Sequence, residues 1–223
     1  MSATVQPLAA RLAAHRVVPV VTVPDPALAP ALGDALAAGG LPVAEVTFRA
    51  DGAERAIALL RERRPELLIG AGTVLDAATA DRAHAAGADF VVAPGFNPAV
   101  VDHCLERGIA VVPGVNDPSG VEAGLARGLT LLKLFPAEVS GGVALLRALA
   151  GPYPAMRFMP TGGVTPGNLA DYLALGAVAA CGGTWIAPSD DIAAGRFERI
   201  AERARAAVAA AAGRGTPTDQ EHR

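Results

Sequence analysis

Short runs of β-branched and apolar residues recur along the whole chain, and an alanine-rich stretch with helical spacing follows each of them. The strand candidates are residues 17–23, 43–48, 67–71, 89–93, 109–113, 129–135, 156–160 and 178–182. The helical candidates between them are residues 27–38, 52–63, 77–86, 98–107, 119–127, 142–150 and 166–175. Helix-stopping glycines stand at Gly39, Gly87, Gly108, Gly128 and Gly176, where the helical stretches run out. Strands alternating with helices in this way predict a parallel sheet. Parallel strands must be covered on both faces or closed on themselves, so the expected fold class is α/β, a single-domain (β/α)8 TIM barrel. An open doubly wound sheet is the alternative, but the first turn lacks the GxGxxG fingerprint of that fold.

Near the end, Ile192, Phe197, Ile200, Ala204 and Val208 keep helical spacing, so residues 190–212 read as an amphipathic closing helix. The expected domain is therefore residues 1–212. The polar residues 213–223 have nothing to bury and are expected to be a disordered tail. A chain of 223 residues suits one such barrel.

Charge and cysteine content exclude several function classes. The net charge is only −3, and runs such as Arg61, Arg63 and Arg64 read as the solvated face of a helix, so no nucleic-acid partner is expected. Cys104 and Cys181 lie far apart among apolar neighbours and read as small buried thiols. Residues 1–14 lack the basic start and apolar core of a signal peptide, and no apolar run reaches membrane-spanning length. A cytoplasmic protein with a small-molecule partner and no membrane partner is the expectation.

Catalytic groups of a barrel come from the C-terminal ends of its strands and the loops beyond them. Lys133 lies in the run Leu131-Leu132-Lys133-Leu134-Phe135-Pro136 and is the only lysine of the chain, which otherwise carries its positive charge on arginine. An ammonium among apolar side chains costs free energy unless it is paired or neutral. A neutral amine attacks carbonyls, and arginine cannot replace it in that role. The structural alternative is a strand-end lysine paired with a carboxylate.

In Val43-Ala44-Glu45-Val46-Thr47-Phe48-Arg49, alternation puts Glu45, Thr47 and Arg49 on one face and Val46 and Phe48 on the other. With the apolar pair facing the helices, Glu45 becomes a candidate general acid/base and Arg49 a bidentate clamp for a carboxylate. An internal Glu45–Arg49 ion pair is the bland alternative. Thr73, in Gly70-Ala71-Gly72-Thr73, offers a hydroxyl and an N–H at the end of the third strand. Thr161-Gly162-Gly163 and Gly182-Gly183-Thr184 place paired glycines at the seventh and eighth strands, where barrels bind phosphate through backbone N–H groups. Two tight turns explain the glycines but not their coincidence at those loops. His15, His84, His103 and His222 avoid the strand ends, and neither an HxH nor an HExxH pattern occurs, so no metal is expected. A GxSxG elbow for a serine hydrolase is also lacking.

Together these segments resemble the 2-keto-3-deoxy-6-phosphogluconate (KDPG) and 4-hydroxy-2-oxoglutarate (KHG) aldolases. The most specific stretches are residues 40–49 and 128–137, and the similarity runs from Val18-Pro19-Val20 to Gly183-Thr184-Trp185. The resemblance implies a class I aldolase on a (β/α)8 barrel, commonly a homotrimer, that needs no metal or organic cofactor. It would release pyruvate and an aldehyde such as glyceraldehyde 3-phosphate. It further implies Lys133 as the Schiff-base lysine and Glu45 as the proton carrier, with Arg49 and Thr73 on the pyruvate carboxylate. Pro94 and Phe135 would line the pocket, and Thr161, Gly162, Gly163 and Thr184 would meet the far end of the substrate.

Several positions depart from the family pattern. Thr184 stands where serine is common, Asp117 and Gly120 replace a threonine and a glutamate, and Ala93 and Ala50 replace serine and threonine. Asp117 is the departure with a chemical consequence, because a carboxylate at the pocket mouth repels a phosphorylated substrate. KHG and 2-keto-3-deoxy-6-phosphogalactonate therefore stand as alternative substrates. A deoxyribose-phosphate-type aldolase and a non-catalytic phosphosugar-binding barrel are the competing functions; the first has no use for Arg49, and the second gains nothing from Lys133.

Overall fold

A computed structural model describes residues 8–213. Its parallel strands are β1 (Val17–Val21), β2 (Val43–Thr47), β3 (Leu68–Gly72), β4 (Phe90–Val92), β5 (Val111–Val112), β6 (Gly114–Val115), β7 (Leu131–Leu134), β8 (Arg157–Pro160) and β9 (Cys181–Gly183). The order β5-β4-β3-β2-β1-β9 forms one sheet and β6-β7-β8 another. β5 and β6 are one run of chain divided at Pro113, which has no N–H for the ladder, although its carbonyl still accepts from Lys133 N at 2.9 Å. β8 meets β9 through the bridges Phe158–Val178 and Thr161–Gly182, so the two sheets close into the expected barrel.

Every residue of β1, β2 and β3 is buried, as a barrel wall covered outside by helices and filled inside by side chains requires. The helices are α1 (Leu8–His15), α2 (Ala29–Ala38), α3 (Ala53–Arg63), α4 (Ala77–Ala85), α5 (Pro98–Glu106), α6 (Pro118–Leu125), α7 (Gly142–Ala150), α8 (Leu169–Leu173), α9 (Ser189–Ala193) and α10 (Phe197–Ala212). Side-chain caps begin several of them: Asp76, Asn97 and Asp117 accept from the backbone N–H groups of Thr79, Ala99 and Gly120. None of the described helices is long and apolar enough to cross a membrane.

Four expectations need correction. α1 was not foreseen; it buries Leu12 and sends Arg11 to Asp89, at the N-terminal end of β4. The closing helix is broken into α9 and α10 at Gly195, whose φ is 66°. That corner is pinned by buried Asp191, which accepts from Arg196 and Arg203. The Arg196 hydrogen bond, with help from Arg203, holds the Asp191 carboxyl below the usual carboxylate range. The fifth strand reaches Val115, beyond the expected end at Pro113. The last strand runs Cys181–Gly183 rather than 178–182, and neither of its glycines could carry a side chain: a Cβ on Gly182 would lie 2.4 Å from Thr161 Oγ1, and one on Gly183 would strike the Trp185 ring. The expected tail lies outside the described residues beyond Gly213.

Candidate active site

The C-terminal end of the barrel opens into a cavity of about 210 Å³ lined by Lys133, Phe135, Arg49, Val20, residues 161–164 and residues 182–184. Lys133 is only 4% exposed, and its Nζ donates to Glu45 Oε1 at 3.2 Å. β7 and β2 thus bring together two groups that lie 88 residues apart in the chain. Glu45 is 1% exposed, and its second oxygen, Oε2, has no hydrogen-bond partner. A buried carboxylate oxygen left unpaired is costly, and such groups are retained where an incoming ligand satisfies them. Gly72, on the neighbouring strand, makes room for this carboxylate; a Cβ there would lie 2.4 Å from Glu45 Oε1. The Phe135 ring lies under the ammonium, with its centroid 5.3 Å from Nζ.

The alternation expected for β2 is met. Val46 is buried, Phe48 packs against the apolar core, and Glu45 and Thr47 point inward. Thr47 contributes no free hydroxyl, because its single proton goes to the Val21 carbonyl at 3.1 Å. The 2.8 Å contact between Thr22 and Thr47 must therefore have Thr22 as its donor. Arg49 lies past the end of β2 and makes no ion pair with Glu45 among the described residues. Its Nε donates to Thr73 Oγ1 at 3.2 Å. Thr73 itself has φ of 59°, a left-handed backbone that is uncommon away from glycine and concentrated at functional sites.

The family model for KDPG and KHG aldolase matches residues 8–203. The chain belongs to this family. It is 49% identical to the 2-dehydro-3-deoxy-phosphogluconate aldolase of Treponema pallidum over 83% of this chain and 88% of that one. It is 42% identical to the KHG/KDPG aldolase of Escherichia coli K12, over 86% of this chain and 90% of that one. Among solved structures, the KDPG aldolase of Legionella pneumophila superposes with a TM-score of 0.86 at 38% identity, covering 89% of this chain and 97% of that one. That crystal holds pyruvate captured at low pH as a covalent carbinolamine intermediate. This protein is accordingly an aldolase, a carbon–carbon lyase.

The cavity gathers most of the residues singled out in the sequence: Lys133, Arg49, Phe135, Thr161, Gly162, Gly163 and Thr184 line it, and Glu45 reaches Lys133 from the wall. Two stand apart. Thr73 meets the site through Arg49, and Pro94 lines an adjoining cavity of about 510 Å³ that shares Phe135 with the first. Asp117 also lines that second cavity, and its Oδ1 is engaged by Gly120 N at 2.7 Å as the cap of α6. The carboxylate thus caps a helix, with Gly120 supplying the N–H, in a cavity that Pro94 and Phe135 also line. Val20 and Val164 were missed; the only sequence signal for Val20 is its register opposite Glu45. Burial pushes the Cys181 thiol up to about 12 and the Cys104 thiol up to about 11, which keeps both out of nucleophilic chemistry. Among the described residues, no cluster of His, Cys, Asp and Glu is placed to hold a metal ion.

Proposed function

We propose that this aldolase cleaves KDPG reversibly to pyruvate and glyceraldehyde 3-phosphate through a Schiff base on Lys133. The observation that carries the reading is the buried Lys133–Glu45 contact at 3.2 Å, with Glu45 Oε2 unpartnered. Proton transfer across that contact frees the amine, which adds to the C2 ketone of the substrate. Loss of water from the carbinolamine gives an iminium, an electron sink conjugated to C3. Glu45 gives its proton to the departing carbinolamine hydroxyl and, a carboxylate again, takes the proton of the C4 hydroxyl as the C3–C4 bond breaks into the sink and the aldehyde leaves. The enamine that remains is protonated at C3, and water releases pyruvate and the amine. No step calls on a metal or an organic cofactor.

Arg49 spends its Nε on Thr73, which leaves its two terminal nitrogens for the carboxylate of the keto acid. Phe135 gives the pocket an apolar wall, and Pro94 continues it in the adjoining cavity. The backbone and hydroxyl groups of Thr161, Gly162, Gly163 and Thr184 hold the phosphate at the far end. The working form is a homotrimer in the cytoplasm, as the family resemblance implies. Leu75, 57% exposed beside the cavity it lines with Pro94, Phe96 and Asn97, is an apolar group suited to burial against another subunit.

A panel of 2-keto-3-deoxy acids assayed by pyruvate release tests the substrate. KDPG should show the lowest KM, and unphosphorylated KHG a higher one. Equal KM values would exclude the phosphate site and make KHG the substrate.

A further inference from the structure

We infer that Glu138, Tyr172 and Asn168, none of which lines the cavity, are positioning residues that aim the peptides of residues 162–164 at the substrate's phosphate. The inference rests on the proposed phosphate end of the pocket and concerns what holds that end in place. Glu138 N donates to the Gly162 carbonyl at 3.0 Å, and Asn168 Nδ2 donates to the Gly163 carbonyl at 3.0 Å. A trans peptide fixes the following N–H on the opposite side from its carbonyl. Binding these two carbonyls from behind therefore turns the N–H groups of Gly163 and Val164 the other way, and neither has a hydrogen-bond partner among the described residues. Gly162, Gly163 and Val164 all line the cavity.

The grip has a second layer. Glu138 packs its stem against Gly163 so closely that a Cβ there would lie 2.5 Å from Glu138 Cβ and Cγ. Gly162 and Gly163 have φ of 94° and 85°, a backbone that must be held because few contacts of its own fix it. Glu138 is itself exposed, and its Oε1 accepts from the hydroxyl of fully buried Tyr172 on α8. Asn168, just before α8, also accepts from Thr165 N at 2.7 Å, so one short segment clamps the loop at both of its ends. Burial first, and the Glu138 contact second, push the Tyr172 phenol up, so it stays a hydrogen-bond donor throughout the working range.

The test compares KDPG with KHG, which has no phosphate, in Tyr172→Phe, Glu138→Ala and Glu138→Gln. Tyr172→Phe removes one oxygen and keeps the packing. It should raise KM for KDPG about 3- to 20-fold, the loss expected for one positioning hydrogen bond. Its kcat and its KM for KHG should stay within about twofold of the parent, since a lost phosphate contact is uniform binding of the far end. Glu138→Ala should behave alike, and Glu138→Gln, which keeps an acceptor for the phenol, should restore the parent values. An unchanged KM for KDPG in Tyr172→Phe, alongside a parent enzyme that prefers KDPG, overturns this inference alone. Equal rises for both substrates with a lowered Tm assign the residues to stability and overturn it as well. A parent enzyme without preference for the phosphorylated acid removes the phosphate site and the inference together.

Discussion

The two ends of the barrel treat charge in opposite ways. At the N-terminal end, Asp89 accepts from Arg11, Arg61 and the N–H of Ile69. Arg61 in turn gives its remaining donors to the carbonyls of Gly87, Pro65 and Leu67. At the C-terminal end, Glu45 and Lys133 share one contact, Glu45 Oε2 is unpaired, and Arg49 spends a single nitrogen on Thr73. A satisfied network fixes helices and loops against strands. An unsatisfied one leaves polar atoms free for an incoming ligand or water to complete. The same physics thus separates the end that holds the barrel together from the end where we place the chemistry.

Mutations at the two ends should break that symmetry in opposite senses. The largest effect is expected from Lys133→Arg, which keeps the charge but removes the nucleophile. Turnover should fall about 10⁴-fold or more with the fold retained, as steady-state assay and circular dichroism would show. Full activity in this variant would return Lys133 to a structural role. Next comes Arg49→Lys, because an ammonium cannot copy a bidentate guanidinium contact. Its kcat/KM should drop about 30- to 1000-fold, or 2 to 4 kcal/mol, while urea unfolding stays unchanged within about 0.5 kcal/mol. Near-normal kinetics would show that Arg49 holds no carboxylate. The smallest catalytic effect belongs to Asp89→Ala, which strips the opposite end of its acceptor. It should cost about 2 to 3 kcal/mol in urea unfolding and leave kcat/KM within about twofold. A larger kinetic than thermodynamic loss there would mean that the two ends are coupled.

What the sequence discloses follows the same division. The barrel is legible because β-branched runs and glycine stops repeat without interruption from Val17 to Gly183. Lys133 and Glu45 are legible because each is a charge in an apolar strand, where packing has no use for one. Less visible are features decided by distant partners. α1 owes its place to Leu12 and to Arg11 on Asp89, neither of which its own sequence announces. The break at Gly195 is hidden because the apolar spacing continues across it while Asp191 gathers its arginines from beyond the turn. Gly183 reads as lying past the strand end, since the Trp185 ring that demands it is set by the fold. The capping role of Asp117 is also hidden, because it depends on which N–H its carboxylate meets.

The central claim is that the amine of Lys133 forms a covalent bond with the ketone of the substrate. Borohydride reduces an iminium to a stable secondary amine, whereas it leaves a metal enolate untrapped. The protein treated with pyruvate and borohydride should lose activity and gain one reduced pyruvyl unit per chain. Lys133 is the only lysine in the sequence, so the peptide map has to choose only between it and the N-terminal amine. The account predicts the label on the peptide containing Lys133 and none on Lys133→Arg. A label confined to the N-terminus, or inactivation without any label, would contradict it.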